Sequence, residues 1–243
     1  MRPLLIVKTG DAMETVRARR GDYDAWIESG LAAGALPVQV VNVHRDETLP
    51  GPESLAGVVV TGSPAMVSHR EAWSEAAAHW LAGAFNSGTP ILGICYGHQL
   101  LAHALGGRVG PNALGRQMGT VSLHLEAEGD PLLGELPREA VFQVTHVEVV
   151  LEFPPGAVAL ATNAMDPRAA FRVGTGAWGL QFHPEFDAEI MRGYIEGRRE
   201  VIRDEGGDPE ALLAGVRESP CGPKVLARFA EWVRASEARR PAP

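Results

Sequence analysis

The sequence predicts an α/β fold, a mixed but mostly parallel sheet flanked by helices, with a helical C-terminal extension. Three observations predict it. Apolar runs uninterrupted by polar residues, such as 4–7 and 91–94, have the pattern of strands covered on both faces. Over the first two thirds of the chain these runs alternate with helical patterns through short connections, as parallel strands require. From Asp187 onward the pattern is helical.

In order, residues 4–7 form a strand, then a glycine-containing loop leads to a helix over 23–33. Strands follow at 38–43 and at 57–61, the latter carrying the consecutive valines Val58, Val59 and Val60. A helix over 69–85 places Trp73, Ala77, Trp80 and Leu81 on one face. A strand at 91–94 runs into a helix over 98–105 that stops at Gly106 and Gly107. The middle differs. Residues 120–128, 141–152, 157–161 and 177–182 alternate in polarity with little helix between them, which predicts an antiparallel or mixed extension of the sheet. In the tail, Asp208 before Pro209 reads as an N-cap with proline at the first helical position, and a last helix spans 223 to about 235. There is no repeat and no low-complexity linker, so residues 1–243 are expected to form one domain, with a core of about 4–186 and a helical extension over 187–243.

Composition excludes several function classes. At −8, with arginine pairs diluted by acids, the chain lacks the clustered cations that phosphate backbones need, so no nucleic acid partner is expected. The two cysteines, Cys95 and Cys221, suggest no disulfide framework and fit a reducing compartment. No apolar run approaches the ~18 residues of a membrane span, and the start lacks a signal-peptide core. No membrane and a cytoplasmic location are therefore expected. There is no cysteine pair or His-x-x-x-His pattern for a metal, and no phosphate-binding Gly-x-x-x-x-Gly-Lys loop for ATP.

The most informative stretch is Thr89-Pro90-Ile91-Leu92-Gly93-Ile94-Cys95-Tyr96-Gly97-His98-Gln99. A strand leads into Cys95, a helix follows, and glycines sit two residues to either side. This is the pattern of a nucleophile elbow, a strained strand-to-helix turn. A sulfur there sits at a helix N-terminus, where the dipole and free N–H groups favour thiolate over thiol. A buried structural cysteine is the common alternative; the glycines and the abrupt junction weigh against it. Downstream, His183 and Glu185 are two residues apart at the end of a predicted strand, where i and i+2 project to one side. A cysteine nucleophile, a histidine base and an orienting carboxylate form a working hydrolytic set. The remaining histidines, His44, His69, His79, His103 and His124, show no partner pattern, and His98 reads as structural.

Gly93-Ile94-Cys95-Tyr96-Gly97-His98-Gln99 resembles the nucleophile motif of class I (triad) glutamine amidotransferases. Gln181-Phe182-His183-Pro184-Glu185 resembles the family's second motif, with the two key residues 88 apart. Thr61-Gly62-Ser63-Pro64 falls where the family has its oxyanion loop, though relatives often read Gly-Gly there. The resemblance covers about residues 4–186 and, within the family, extends to the glutaminase part of GMP synthase. It implies a flavodoxin-like fold, with Cys95, His183 and Glu185 as the catalytic triad. It further implies backbone N–H donors from Gly62 and Tyr96 for the oxyanion, and Gln99, Thr145 and His146 as contacts to bound glutamine, Thr145 replacing a serine. The segment from Gly106 to Gly119, with Asn112, Gly115 and Arg116, also follows the pattern of stand-alone members and receives no catalytic role. The reaction implied is hydrolysis of a γ-glutamyl amide through a thioester on Cys95, without metal or organic cofactor. Three readings follow: a glutaminase subunit serving a separate synthetase, a free-standing γ-glutamyl hydrolase or peptidase, and a non-catalytic module that keeps the fold. The intact triad weighs against the last. The helical tail is expected to cover the sheet rather than to dock a partner.

Overall fold

Strand side chains alternate between faces, so an all-apolar strand must be covered twice. The computed structural model, which describes residues 2–31 and 36–239, satisfies this with helices on both sides of one sheet. Along the chain the elements are β1 (Leu4–Lys8), α1 (Glu14–Arg20), α2 (Tyr23–Leu31), β2 (Val38–Asn42), β3 (Gly57–Val60), α3 (Ala72–Asn86), β4 (Ile91–Ile94) and α4 (Tyr96–Ala104). Next come β5 (Arg108–Pro111), β6 (Gln117–Leu125), β7 (Glu139–His146), β8 (Glu148–Glu152), β9 (Ala157–Thr162), β10 (Ala170–Val173) and β11 (Ala177–Leu180). The tail holds α5 (Ala188–Gly197), α6 (Arg199–Asp204), α7 (Pro209–Gly215) and α8 (Gly222–Arg239).

The nine-stranded sheet has the order β2-β1-β3-β4-β11-β10-β9-β6-β7. Strands β2, β1, β3, β4 and β11 are parallel, and the β11-to-β7 side is antiparallel, as the alternating middle of the sequence predicts. On one face, Leu4, Ile6, Leu92 and Ile94 share a core with Val225, Leu226, Phe229, Ala230 and Val233 of α8. On the other, Leu5, Val7, Val58 and Val60 pack with Ala77, Leu81, Leu100 and Leu101 of α3 and α4. The last helix thus covers the sheet, as its apolar stripe predicts. Helices α5 and α6 pack instead with Val16, Tyr23, Trp26, Met118 and Phe186.

The structure revises several expected boundaries. The helix expected over 23–33 is helical to Leu31; residues 32 and 33 lie outside the described ones. The loop before it contains α1. The helix expected from 69 starts at Ala72, because Val67–His69 is a 3-10 turn that Arg70 closes with φ 55°. The strand expected over 141–152 is two strands in different sheets. It breaks at Val147, whose carbonyl accepts from the Asn112 N–H (2.8 Å), and β8 pairs with β5 in a separate ribbon. The strand expected to reach Phe182 ends at Leu180. Neither β5 nor β10 was anticipated; each has four residues, too few to show a period. Asp208 caps α7 as expected, accepting from the Glu210 and Ala211 N–H groups at 2.9 and 3.2 Å. No described helix is long and apolar enough to cross a membrane.

Candidate active site

The site begins with a backbone turn that only certain residues allow. Between β4 and α4, Cys95 takes φ 53° and ψ −101°. Such a conformation costs about 1–3 kcal/mol in a residue with a side chain and persists only where the surroundings enforce it. Here the Cys95 N–H donates to Leu180 O (2.7 Å), and its carbonyl accepts from the Gln99 N–H (3.1 Å). The flanking glycines are a matter of space. A Cβ on Gly93 would lie 2.3 Å from the Gly97 carbonyl oxygen, and one on Gly97 would lie 2.4 Å from that of Val60. The Tyr96 N–H is the first of α4, where no intrahelical carbonyl is available to accept it.

Strand β7 joins the two halves of the site. The Cys95 thiol donates to Thr145 O (3.7 Å), and two residues earlier Gln143 pairs with His183, whose N–H donates to Gln143 O (2.9 Å). The His183 Nδ1 is 2.7 Å from Glu185 Oε1, and both side chains are buried. The i, i+2 contact expected from the sequence therefore forms, although in a turn beyond β11 rather than in an extended strand. Phe186 stacks on the His183 ring at 4.0 Å and Tyr23 at 6.3 Å, which holds the imidazole plane. The His183 Nε2 is buried without a hydrogen-bond partner among the described residues. Burial alone would lower the His183 pKa, but interaction with the charges of Glu185 and Cys95 outweighs it and raises the pKa to about 10.

That raised pKa has a stability consequence. A folded pKa above the ordinary 6.5 stabilises the protein fully below about pH 6.5, and the contribution is lost as pH rises toward about 10. Thermal melts of the parent and of His183→Gln should therefore differ most at pH 6 and converge by pH 10. A difference that grows with pH would contradict this reading of the ring.

Cys95, Tyr96, Gln99, Thr145 and His146 all line one cleft at the carboxyl end of the sheet. Gly62 lies beside His183, where a Cβ would come 3.0 Å from His183 Cε1, and the next residues, Ser63 to Met66, line the cleft. Gln99 Nε2 donates to Glu148 O (2.7 Å) and Gln181 Oε1 (3.1 Å), and Gln181 Nε2 donates to the Cys95 sulfur (3.7 Å). The ring nitrogens of His146 face Glu148 O and Gln117 Oε1, each at 3.1 Å, and burial lowers its pKa to about 4. His98 is wholly buried against Phe171, and burial lowers its pKa to about 3. Three histidines without a partner pattern in the sequence do have partners: His44 meets Lys8 O (3.1 Å), His103 meets Glu75 (3.0 Å) and His124 meets Glu139 (2.6 Å).

Sequence reasoning missed four groups at this cleft. Gln181 stood in a recognised motif and could have been found there. Arg116, which stood in a segment given no catalytic role, also lines the cleft, as do Glu148 and Arg198, which nothing local in the sequence marks.

The family described as glutamine amidotransferase class-I matches residues 21–196. A GMP synthase (glutamine-hydrolyzing) from Bacillus licheniformis is 33% identical over 188 residues, which covers 74% of this chain and 35% of that protein. One from Thermomicrobium roseum is 40% identical over 129 residues, covering 53% and 23%. The chain thus spans about a third or less of the length of these curated relatives. Among solved structures, a glutamine amidotransferase from Thermotoga maritima superposes with a TM-score of 0.75 at 22% identity, covering 96% of this chain and 98% of that one. Another, from Methylobacillus flagellatus, gives 0.72 at 22% identity, covering 100% and 98%. With the family match spanning both the elbow and the His183–Glu185 pair, the chain belongs to the class I glutamine amidotransferases.

Proposed function

We propose that this protein is a cysteine hydrolase that cleaves γ-glutamyl amides, glutamine among them, with Cys95, His183 and Glu185 as its triad. The observation that carries the reading is the buried 2.7 Å contact of His183 with Glu185, next to a cysteine held in a strand-to-helix elbow. Such a pair keeps the imidazole in one tautomer and orientation, with Nε2 available for proton transfer. The Cys95 thiol gives its proton to His183 Nε2, the sulfur attacks the side-chain carbonyl carbon, and the resulting oxyanion accepts hydrogen bonds from the Tyr96 and Gly62 N–H groups. A donor so placed is worth about 3 kcal/mol in the transition state. His183 gives its Nε2 proton to the departing nitrogen, the C–N bond breaks, and ammonia or an amine leaves. A γ-glutamyl thioester remains. His183 then takes a proton from water, which attacks the thioester; the C–S bond breaks, and glutamate leaves. Gln99, Thr145 and His146 contact the amino-acid end of the substrate.

Residues 1–243 are proposed to fold as one domain, since the core beneath the elbow includes α8. A separate synthetase that accepts the ammonia is the proposed partner, by analogy with the relatives named as GMP synthases. The test is to incubate purified protein with glutamine and a panel of γ-glutamyl peptides and amides, with and without the synthetase part of a GMP synthase, and to measure glutamate. Steady release by the protein alone would mark a free-standing hydrolase, and release only with the synthetase would mark a subunit. No glutamate under any condition would refute the reading.

A further inference from the structure

The C-terminal extension brings to the cleft a charge that the elbow does not need. Arg198, between α5 and α6, lines the same cleft as Cys95, Gln99, Arg116 and Glu148. Its guanidinium lies over the Tyr194 ring, 5.1 Å from the centroid, and so has a fixed plane. Its Nη1 is buried and has no hydrogen-bond partner among the described residues. An unsatisfied buried guanidinium N–H is costly, and such groups in native proteins call for an explanation. The neighbouring arginine does not offer the same opportunity, because Arg116 is held bidentately by Glu205 at 2.7 and 2.9 Å. Burial and the like charge of Arg116 both disfavour the Arg198 cation, whereas the charge of Cys95 favours it. The same cleft is lined by the opposite sign: the buried Glu148, whose Oε2 accepts from the Ser68 N–H (3.3 Å). A simple anion would satisfy Arg198 but be repelled by Glu148. A zwitterionic amino-acid headgroup matches both.

We propose that Arg198 binds the α-carboxylate of the γ-glutamyl substrate while Glu148 takes the α-ammonium, an inference that rests on the γ-glutamyl reading of the cleft. The substrate class follows. Free glutamine and small γ-glutamyl compounds carry that carboxylate; glutamine within a peptide chain does not, since its α-carboxyl is an amide. Specificity thus comes from a residue outside the triad core, through bidentate geometry that a guanidinium provides and an ammonium does not.

The test uses the Cys95→Ala protein, which cannot turn over, titrated calorimetrically with glutamine and with glutaminamide, whose α-carboxylate is replaced by an amide. The Cys95→Ala protein should prefer glutamine. Adding Arg198→Met should weaken glutamine by about 10- to 100-fold, the effect of losing a charged hydrogen bond, and leave glutaminamide unchanged. Arg198→Lys should fall between, and circular dichroism melts establish that each variant is folded. Equal weakening of both ligands, no weakening, or no binding of glutamine by the Cys95→Ala protein would overturn the assignment. Failure of the parent enzyme to release glutamate would strike the hydrolase reading alone, since the titration does not depend on turnover.

Discussion

Replacing Cys95 with alanine is expected to lower glutamate release by about 10⁴-fold or more, the scale on which loss of a triad nucleophile acts. In the proposed reaction the sulfur is the atom that forms the thioester, and no other thiol lines the cleft: the second cysteine, Cys221, lies in the core with α8. Stability should fall only by the part of the His183 interaction that Cys95 supplies. The thiol's hydrogen bonds are long, 3.7 Å to Thr145 O and 3.7 Å from Gln181 Nε2, and alanine keeps the Cβ that the elbow already accommodates. Two measurements check this together: glutamate release by a coupled assay, and mass spectrometry of the protein mixed with substrate, in which the parent but not the variant should carry a γ-glutamyl adduct. A variant that matches the parent would show that the nucleophile lies elsewhere, whereas the same loss in Cys221→Ala would point to a folding defect.

Phe229→Ala should destabilise the protein by about 3–5 kcal/mol, the range for removing a buried aromatic from a packed core. The Phe229 ring is fully buried and meets Trp178 edge-on at 6.3 Å between centroids, and Trp178 in turn meets Trp232 at 5.5 Å. Those contacts join α8 to β11, the strand that leads into His183. Urea unfolding followed by tryptophan fluorescence would read the loss as a lower midpoint with an unchanged slope. The folded fraction should keep the parent's kcat, because α8 covers the sheet and does not reach the reacting atoms. A loss under 1 kcal/mol would mean that α8 is not part of the core, and the extension would then be a docking element after all.

What the sequence determined by itself is what depends on neighbours along the chain. The strand at 91–94, the turn at Cys95 and the flanking Gly93 and Gly97 are contiguous, so the strain and the space it needs are visible in seven residues. The same holds for His183 and Glu185, whose contact spans two positions. The parallel half of the sheet was legible because its strands are apolar on both faces. Tertiary structure alone decided the rest. The pattern through 141–152 shifts phase at Thr145-His146, but that shift does not say which strands will pair, and pairing partners split the segment between two sheets at Val147. Glu148 and Arg198 are 50 residues apart, in elements whose local patterns concern only their own packing, and they share the cleft because the α5–α6 junction lies over the carboxyl edge of the sheet. Periodicity reports which face of an element is covered; it carries no information about which distant side chain ends up opposite, and that is set by packing across the whole fold.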